Sequence, residues 1–182
     1  NFFEKNKKTI KEKTIKHPVY TIEDIKFRLV RDIFLKQNIY HEIMSKMMRE
    51  KNFIPSKHSS KLFFNKEDLI KLNSLGHVIG VHAHNHNTLI EKLSYEEQKI
   101  QFHKCISLIS EILNKPKNEI KVMSHPSGSY NMDTIEILKE LGIKLGFKQI
   151  MKIELERGMK KINNSPLEIA RQNHSEIIRK IV

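Results

Sequence analysis

From Leu62 onward the chain alternates short apolar runs with stretches of helical period, and this alternation constrains the fold more than any single residue does. Asn65 opens a helical pattern that turns Leu69, Leu72 and Leu75 inward and stops at Gly76. Residues 78–81 are apolar and mostly β-branched between glycines, and read as a short buried strand. Ser94 followed by Glu97 is a capping box. It starts a helix running to about Leu113, with Ile100, Ile106, Ile109 and Leu113 as core candidates, and Pro116 forbids its continuation. Residues 120–123 form a second strand. Asn131 caps a helix through Ile135, Leu138 and Leu141 that Gly142 ends, and residues 145–147 form a third strand. Residues 148–165 are weakly patterned, and 167–171 read as a last strand. Strands in alternation with helices place the chain in the α/β class, with a parallel sheet or barrel.

The N-terminal third has a different texture. Residues 4–16 hold six Lys against two Glu and read as a frayed or disordered helix. Thr21 with Asp24 is a capping-box-like start, after which Ile22, Ile25, Leu29, Val30, Ile33 and Phe34 recur at helical spacing. A second helix is expected over 38–51 with Ile39, Ile43, Met44, Met47 and Met48 inward, the methionines acting as flexible core filling. Residues 54–61 read as a linker. The expected organisation is a basic, helical segment over 1–60 ahead of a β/α core over 61–182, in one domain overall.

Composition excludes several classes. No apolar run approaches the length of a membrane span. The single cysteine, Cys105, excludes an internal disulfide and reads as core rather than nucleophile. The net charge of +12 is Lys-dominated and spread along the chain, without a basic aromatic ribbon, so solvated lysine faces account for it and no nucleic-acid partner is expected. No signal peptide is visible, which leaves the compartment open between cytoplasm and cell envelope. Oligomeric state is not legible.

Four of the ten histidines, His77, His82, His84 and His86, gather at the first strand and just beyond it. The C-terminal end of a strand is where α/β folds mount ligands and catalytic groups. His82 and His86, four apart, are spaced to converge on one metal ion in a helical turn or a tight loop. The same pattern also fits a surface loop. His77 precedes the strand and reads as a packing or supporting residue. His84 shares their face only if the segment is extended.

These residues carry a resemblance. Residues 76–89, Gly-His-Val-Ile-Gly-Val-His-Ala-His-Asn-His-Asn-Thr-Leu, resemble the second motif of the polysaccharide deacetylases, the NodB-homology family of carbohydrate esterases. That motif is typically Gly-His-Glu-Ile-Gly-Ser-His-Thr-x-x-His-x-x-Leu. Residues 124–131, Ser-His-Pro-Ser-Gly-Ser-Tyr-Asn, are similar to the family's third motif, and 166–171, Pro-Leu-Glu-Ile-Ala-Arg, to a Leu-Glu-Ile-Pro-Arg stretch near the domain's end. The resemblance covers about residues 61 to 173 well.

It implies part of a distorted (β/α) barrel with an N-terminal helical insertion. It implies a hydrolase acting on carbon–nitrogen bonds other than peptide bonds, which removes N-acetyl groups from amino sugars of a cell-surface polysaccharide or lipopolysaccharide. It assigns a divalent metal, zinc by expectation, to His82 and His86. It assigns contacts with an N-acetylated glycan to Pro126, Gly128, Tyr130 and Arg171, and a weak general-acid role to His174.

The chain also departs from the family. The Phe-Asp-Asp-Gly motif, source of the third ligand and the base, is absent. Asp24, Asp32 and Asp68 are unpaired, lie in helical patterns and are not promoted to ligands. Ser124 stands where the family has arginine, Ser127 where it has an aromatic, and the late Leu-x-x-His is not recognisable. The chain reads as beginning beyond the aspartates, or as a homologue that lost activity and kept a carbohydrate-binding groove. In both cases this polypeptide alone is expected to hold metal poorly and turn over weakly. A basic nucleic-acid-binding module ranks last.

Overall fold

The computed structural model describes residues 1–18, 20–86, 89–149 and 165–171. The chain divides into two compact units, Asn1–Leu62 and Phe63–Val182.

The first unit is helical: α1 (Phe2–Lys5), α2 (Lys7–Lys16), α3 (Ile22–Leu29) continuing into a π-helical turn (Val30–Phe34), α4 (Gln37–Glu50) and α5 (Ser59–Leu62). The lysine-rich start is thus helical, broken at Asn6, rather than frayed throughout. Thr21 caps α3 as expected, with Asp in place of the usual Glu or Gln. Its hydroxyl accepts from the Asp24 N–H at 3.1 Å, and the Asp24 carboxylate accepts from the Thr21 N–H at 3.0 Å. Ile25 and Leu29, one turn apart, are buried. The expected inward face of α4 is corrected. Ile39, Ile43 and Met47 are exposed, whereas Met44 and Met48, also expected inward, are half-buried in one row with Tyr40. Tyr40 faces Phe27 of α3, with ring centroids 6.3 Å apart.

The second unit holds α6 (Lys66–Ser74), α7 (Tyr95–Leu113), β1 (Val122–Ser124), α8 (Met132–Glu140) and β2 (Leu145–Phe147). β1 and β2 pair in parallel, Met123 opposite Gly146, with α8 as the crossover. The sheet is extended by single parallel bridges on both sides, Val81 with Met123 and Phe147 with Ile169. Spatial order is therefore 81, β1, β2, 169. The glycines permit this spacing: a Cβ on Gly80 would stand 2.9 Å from the Val122 carbonyl oxygen, and one on Gly146 would run into the Leu167 carbonyl. Residues 78–81 are less strand-like than expected, because only Val81 is bridged and buried and Val78 is exposed.

The core lies between this sheet and the helices α7 and α8: Val81, Ile90, Phe102, Ile106, Ile109, Met123, Ile137, Leu138 and Leu167 are buried together. Ile100 and Leu75, expected inward, are exposed instead. The expected caps are present: Ser94 with Glu97, Asn65 with Asp68, Asn131 with Thr134, and glycines of positive φ at 76 and 142. A buried polar tie joins the two long helices, where the Thr134 hydroxyl donates to Gln98 Oε1 at 2.6 Å and Gln98 Nε2 donates to the Leu93 carbonyl at 3.0 Å. The structure is α/β with a small parallel sheet. No helix among the described residues is long and apolar enough to cross a membrane.

Candidate functional site

Two loops leave the same end of this sheet. The first follows Val81 and carries His82, His84 and His86. Ala83 and His86 both adopt positive φ, 60° and 47°, an uncommon state for residues with a Cβ. This turn folds the loop back, so that the His82 and His86 rings meet edge to face with centroids 4.8 Å apart. His77, His84 and His86 are exposed. The second loop follows β1. Pro126 is buried, Ser127 and Gly128 take positive φ, and Tyr130 is buried rather than solvated.

The loops touch. His82 Nδ1 lies 2.7 Å from the Ser124 carbonyl oxygen. A carbonyl only accepts, so Nδ1 carries the proton and Nε2 keeps its lone pair. Burial pushes the His82 pKa down, partly offset by that hydrogen bond, and the charges of His86 and Arg171 push the same way as burial. The hydrogen bond at Nδ1 and the lowered pKa both favour the imidazole form protonated at Nδ1, the form a metal ligand uses. Further ties hold the loops together: the Glu91 N–H donates to the Ser129 hydroxyl at 3.2 Å, and Asn131 Nδ2 donates to the Glu91 carbonyl at 3.2 Å.

Behind the loops lies a buried polar group that the motifs did not single out. His125, 1% exposed, donates from Nε2 to the Leu167 carbonyl at 2.7 Å and stacks on Tyr130 with centroids 4.3 Å apart. Burial holds its pKa down to about 4. Lys148 and Glu168 are buried beside it. Burial raises the Glu168 pKa, while the Tyr130 hydroxyl and the Lys148 charge oppose that rise. Their one signal in the sequence was charge at positions flanking strands. Cys105 is core-facing, its thiol pKa raised by burial. Arg171 is exposed and close enough for its charge to act on His82. His174 lies outside the described residues. Among the described residues no group of three His, Cys, Asp or Glu side chains converges to hold an ion.

A family model described as polysaccharide deacetylase matches residues 40–146, more than half of the chain. The chain belongs to that family. Among solved structures, the deacetylase PplD of Streptococcus pyogenes, in complex with acetate, is similar at 21% identity with a TM-score of 0.47. The match covers 58% of this chain and 46% of that one, so the deacetylase-family chain spans less than half of PplD. No curated protein matches it.

Proposed function

We propose that the protein is part of a metal-dependent hydrolase that removes N-acetyl groups from amino sugars of a cell-surface polysaccharide or lipopolysaccharide. We read it as the helical insertion (1–60) and core (61–182) of a distorted (β/α) barrel. The observation that carries this reading is the His82–His86 pair at a strand end, with His82 held as the Nδ1–H tautomer by the Ser124 carbonyl.

The donor chemistry fits a divalent ion of the zinc type. His82 Nε2 and a ring nitrogen of His86 would hold it, and the described residues supply no third ligand. When bound, such an ion lowers the pKa of a water and stabilises charge on the tetrahedral oxygen of an amide under attack. The chain's own contribution is placement. The Ser124 carbonyl orients His82. Pro126 and Gly128 shape the turn of the second loop, which the Gly128 and Ser129 N–H groups close by donating to the His125 and Pro126 carbonyls. Tyr130 supports that loop from beneath through its stack on His125. Arg171 supplies positive charge beside the histidines, suited to the polar face of an acetylated sugar.

The test is acetate release from N-acetylglucosamine oligomers by the longest natural form of the protein, with and without added zinc or cobalt. Metal-dependent release that His82→Ala abolishes supports the reading. Oligomer binding without release, unchanged by metal, would instead support a non-catalytic carbohydrate-binding remnant.

A further inference from the structure

We propose that His125 is a positioning residue, whose buried ring locks the Ser124–His125 peptide in the one orientation that keeps His82 a ligand-competent imidazole. This inference rests on the reading of His82 as a metal ligand, although its first readout needs no metal.

That peptide is held at both of its polar ends. Its N–H, from His125, donates to the Phe147 carbonyl of β2 at 3.0 Å. Its C=O, from Ser124, accepts from His82 Nδ1 at 2.7 Å. A third hold comes from the ring. Nε2–H donates to the Leu167 carbonyl at 2.7 Å, and Tyr130 stacks against the face at 27°. With the ring bonded at its tip and stacked on its face, the backbone of residue 125 has no freedom to swing the preceding carbonyl away from His82. Leu167 is itself fixed, because its carbonyl lies against Gly146 where no Cβ intervenes. The line of control runs from Leu167 through His125 and the Ser124 carbonyl to His82.

A residue present for packing alone would be expected to look different. Phenylalanine or leucine would fill this space and leave no polar atom behind. His125 instead keeps Nδ1 buried with no hydrogen-bond partner among the described residues, a cost that a packing role gives no reason to bear. The Nε2 bond is what the imidazole adds over an apolar ring.

The experiment reads the His82 tautomer in the metal-free full chain by two-bond proton–nitrogen NMR, and cobalt(II) affinity by its visible absorption. The parent should show His82 protonated at Nδ1. His125→Phe keeps a stacking ring but loses the donor, so His82 should become a tautomer mixture and cobalt affinity should fall about 10- to 100-fold. His125→Gln, whose amide nitrogen sits near the Nε2 position, should recover most of both. If the phenylalanine variant does not fold, His125→Asn, polar but too short to reach Leu167, takes its place with the same expectations. A folded donor-less variant with the parent tautomer and affinity would overturn the proposal. So would glutamine and phenylalanine losing affinity equally. If the parent binds no cobalt yet the tautomer follows the variants as expected, the metal reading fails and the positioning role stands.

Discussion

At the scale of single residues, the histidines separate by what surrounds them. His82→Ala and His86→Ala are each expected to abolish metal-dependent acetate release by the longest natural form, while His84→Ala, at a position to which the motif resemblance assigns no ligand, should cost far less. Turnover measured beside thermal stability checks this: losses that track melting temperature rather than ligand position would remove the metal assignment. His125 carries a second prediction, about pH. Its folded pKa, about 4, lies below the ordinary 6.5. As pH falls through 6.5 the unfolded chain takes a proton that the folded chain refuses. Stability from this group is complete above pH 6.5, declines toward pH 4, and changes by about 3 kcal/mol over that window. Denaturant melts at stepped pH should show that decline in the parent and lack this part of it in His125→Phe. The spacing of His82 and His86 was legible in the sequence because four residues is a short-range quantity. His125 was visible within the third motif but its role was not, since its partner Leu167 is 42 residues away.

At the scale of elements, helix starts were the most legible features, because a cap is chemistry within four residues. Ser94→Ala should remove the hydroxyl that accepts from the Glu97 N–H and cost about 1 kcal/mol in chemical denaturation, without altering metal binding. Helix faces were read less well. The apolar rows of α4 and α7 include Ile39, Ile43, Met47 and Ile100, which the structure leaves exposed. Periodicity names a stripe but not which edge of it meets a neighbour, and in α4 the half-buried edge carries Tyr40, whose ring faces Phe27. Strands were harder still, since a single bridge at Val81 or Ile169 has no periodic signature. Gly146 shows how tight that layer is. Gly146→Ala would push a methyl into the Leu167 carbonyl, and should shift the last bridged segment and disturb the His125 bond, whereas Gly76→Ala meets no atom and is limited to the strain of its φ of 89°. Comparing the two melting temperatures tests this, with the larger drop expected at Gly146.

For the whole molecule, the two units differ in what holds them. Among the described residues, Ile25 and Leu29 are the buried apolar side chains of the first unit, whereas the second buries a continuous cluster around Phe102 and Leu138. Residues 1–62 carry fifteen Lys and Arg against seven Asp and Glu, so two-thirds of the +12 charge falls on a third of the chain. The overall figure conceals this, and the reading of an even spread does not hold. A chain starting at Phe63 is expected to keep a cooperative thermal transition and the His82 tautomer, and residues 1–62 alone to melt without one; calorimetry of each piece checks it. The sheet that carries the site also implies an order of assembly. The pairing of β1 with β2 joins residues 23 apart through α8, as Met123 opposite Gly146, whereas Val81 reaches Met123 across 42. Loop closure favours the nearer pairing, so the histidine-bearing segment joins a sheet already formed and is the first part to detach from it. Native-state hydrogen exchange should find the Val81 amide opening at lower free energy than that of His125, which is bonded to β2. The histidine loop would then come and go on a finished platform, and a metal held there would slow its departure.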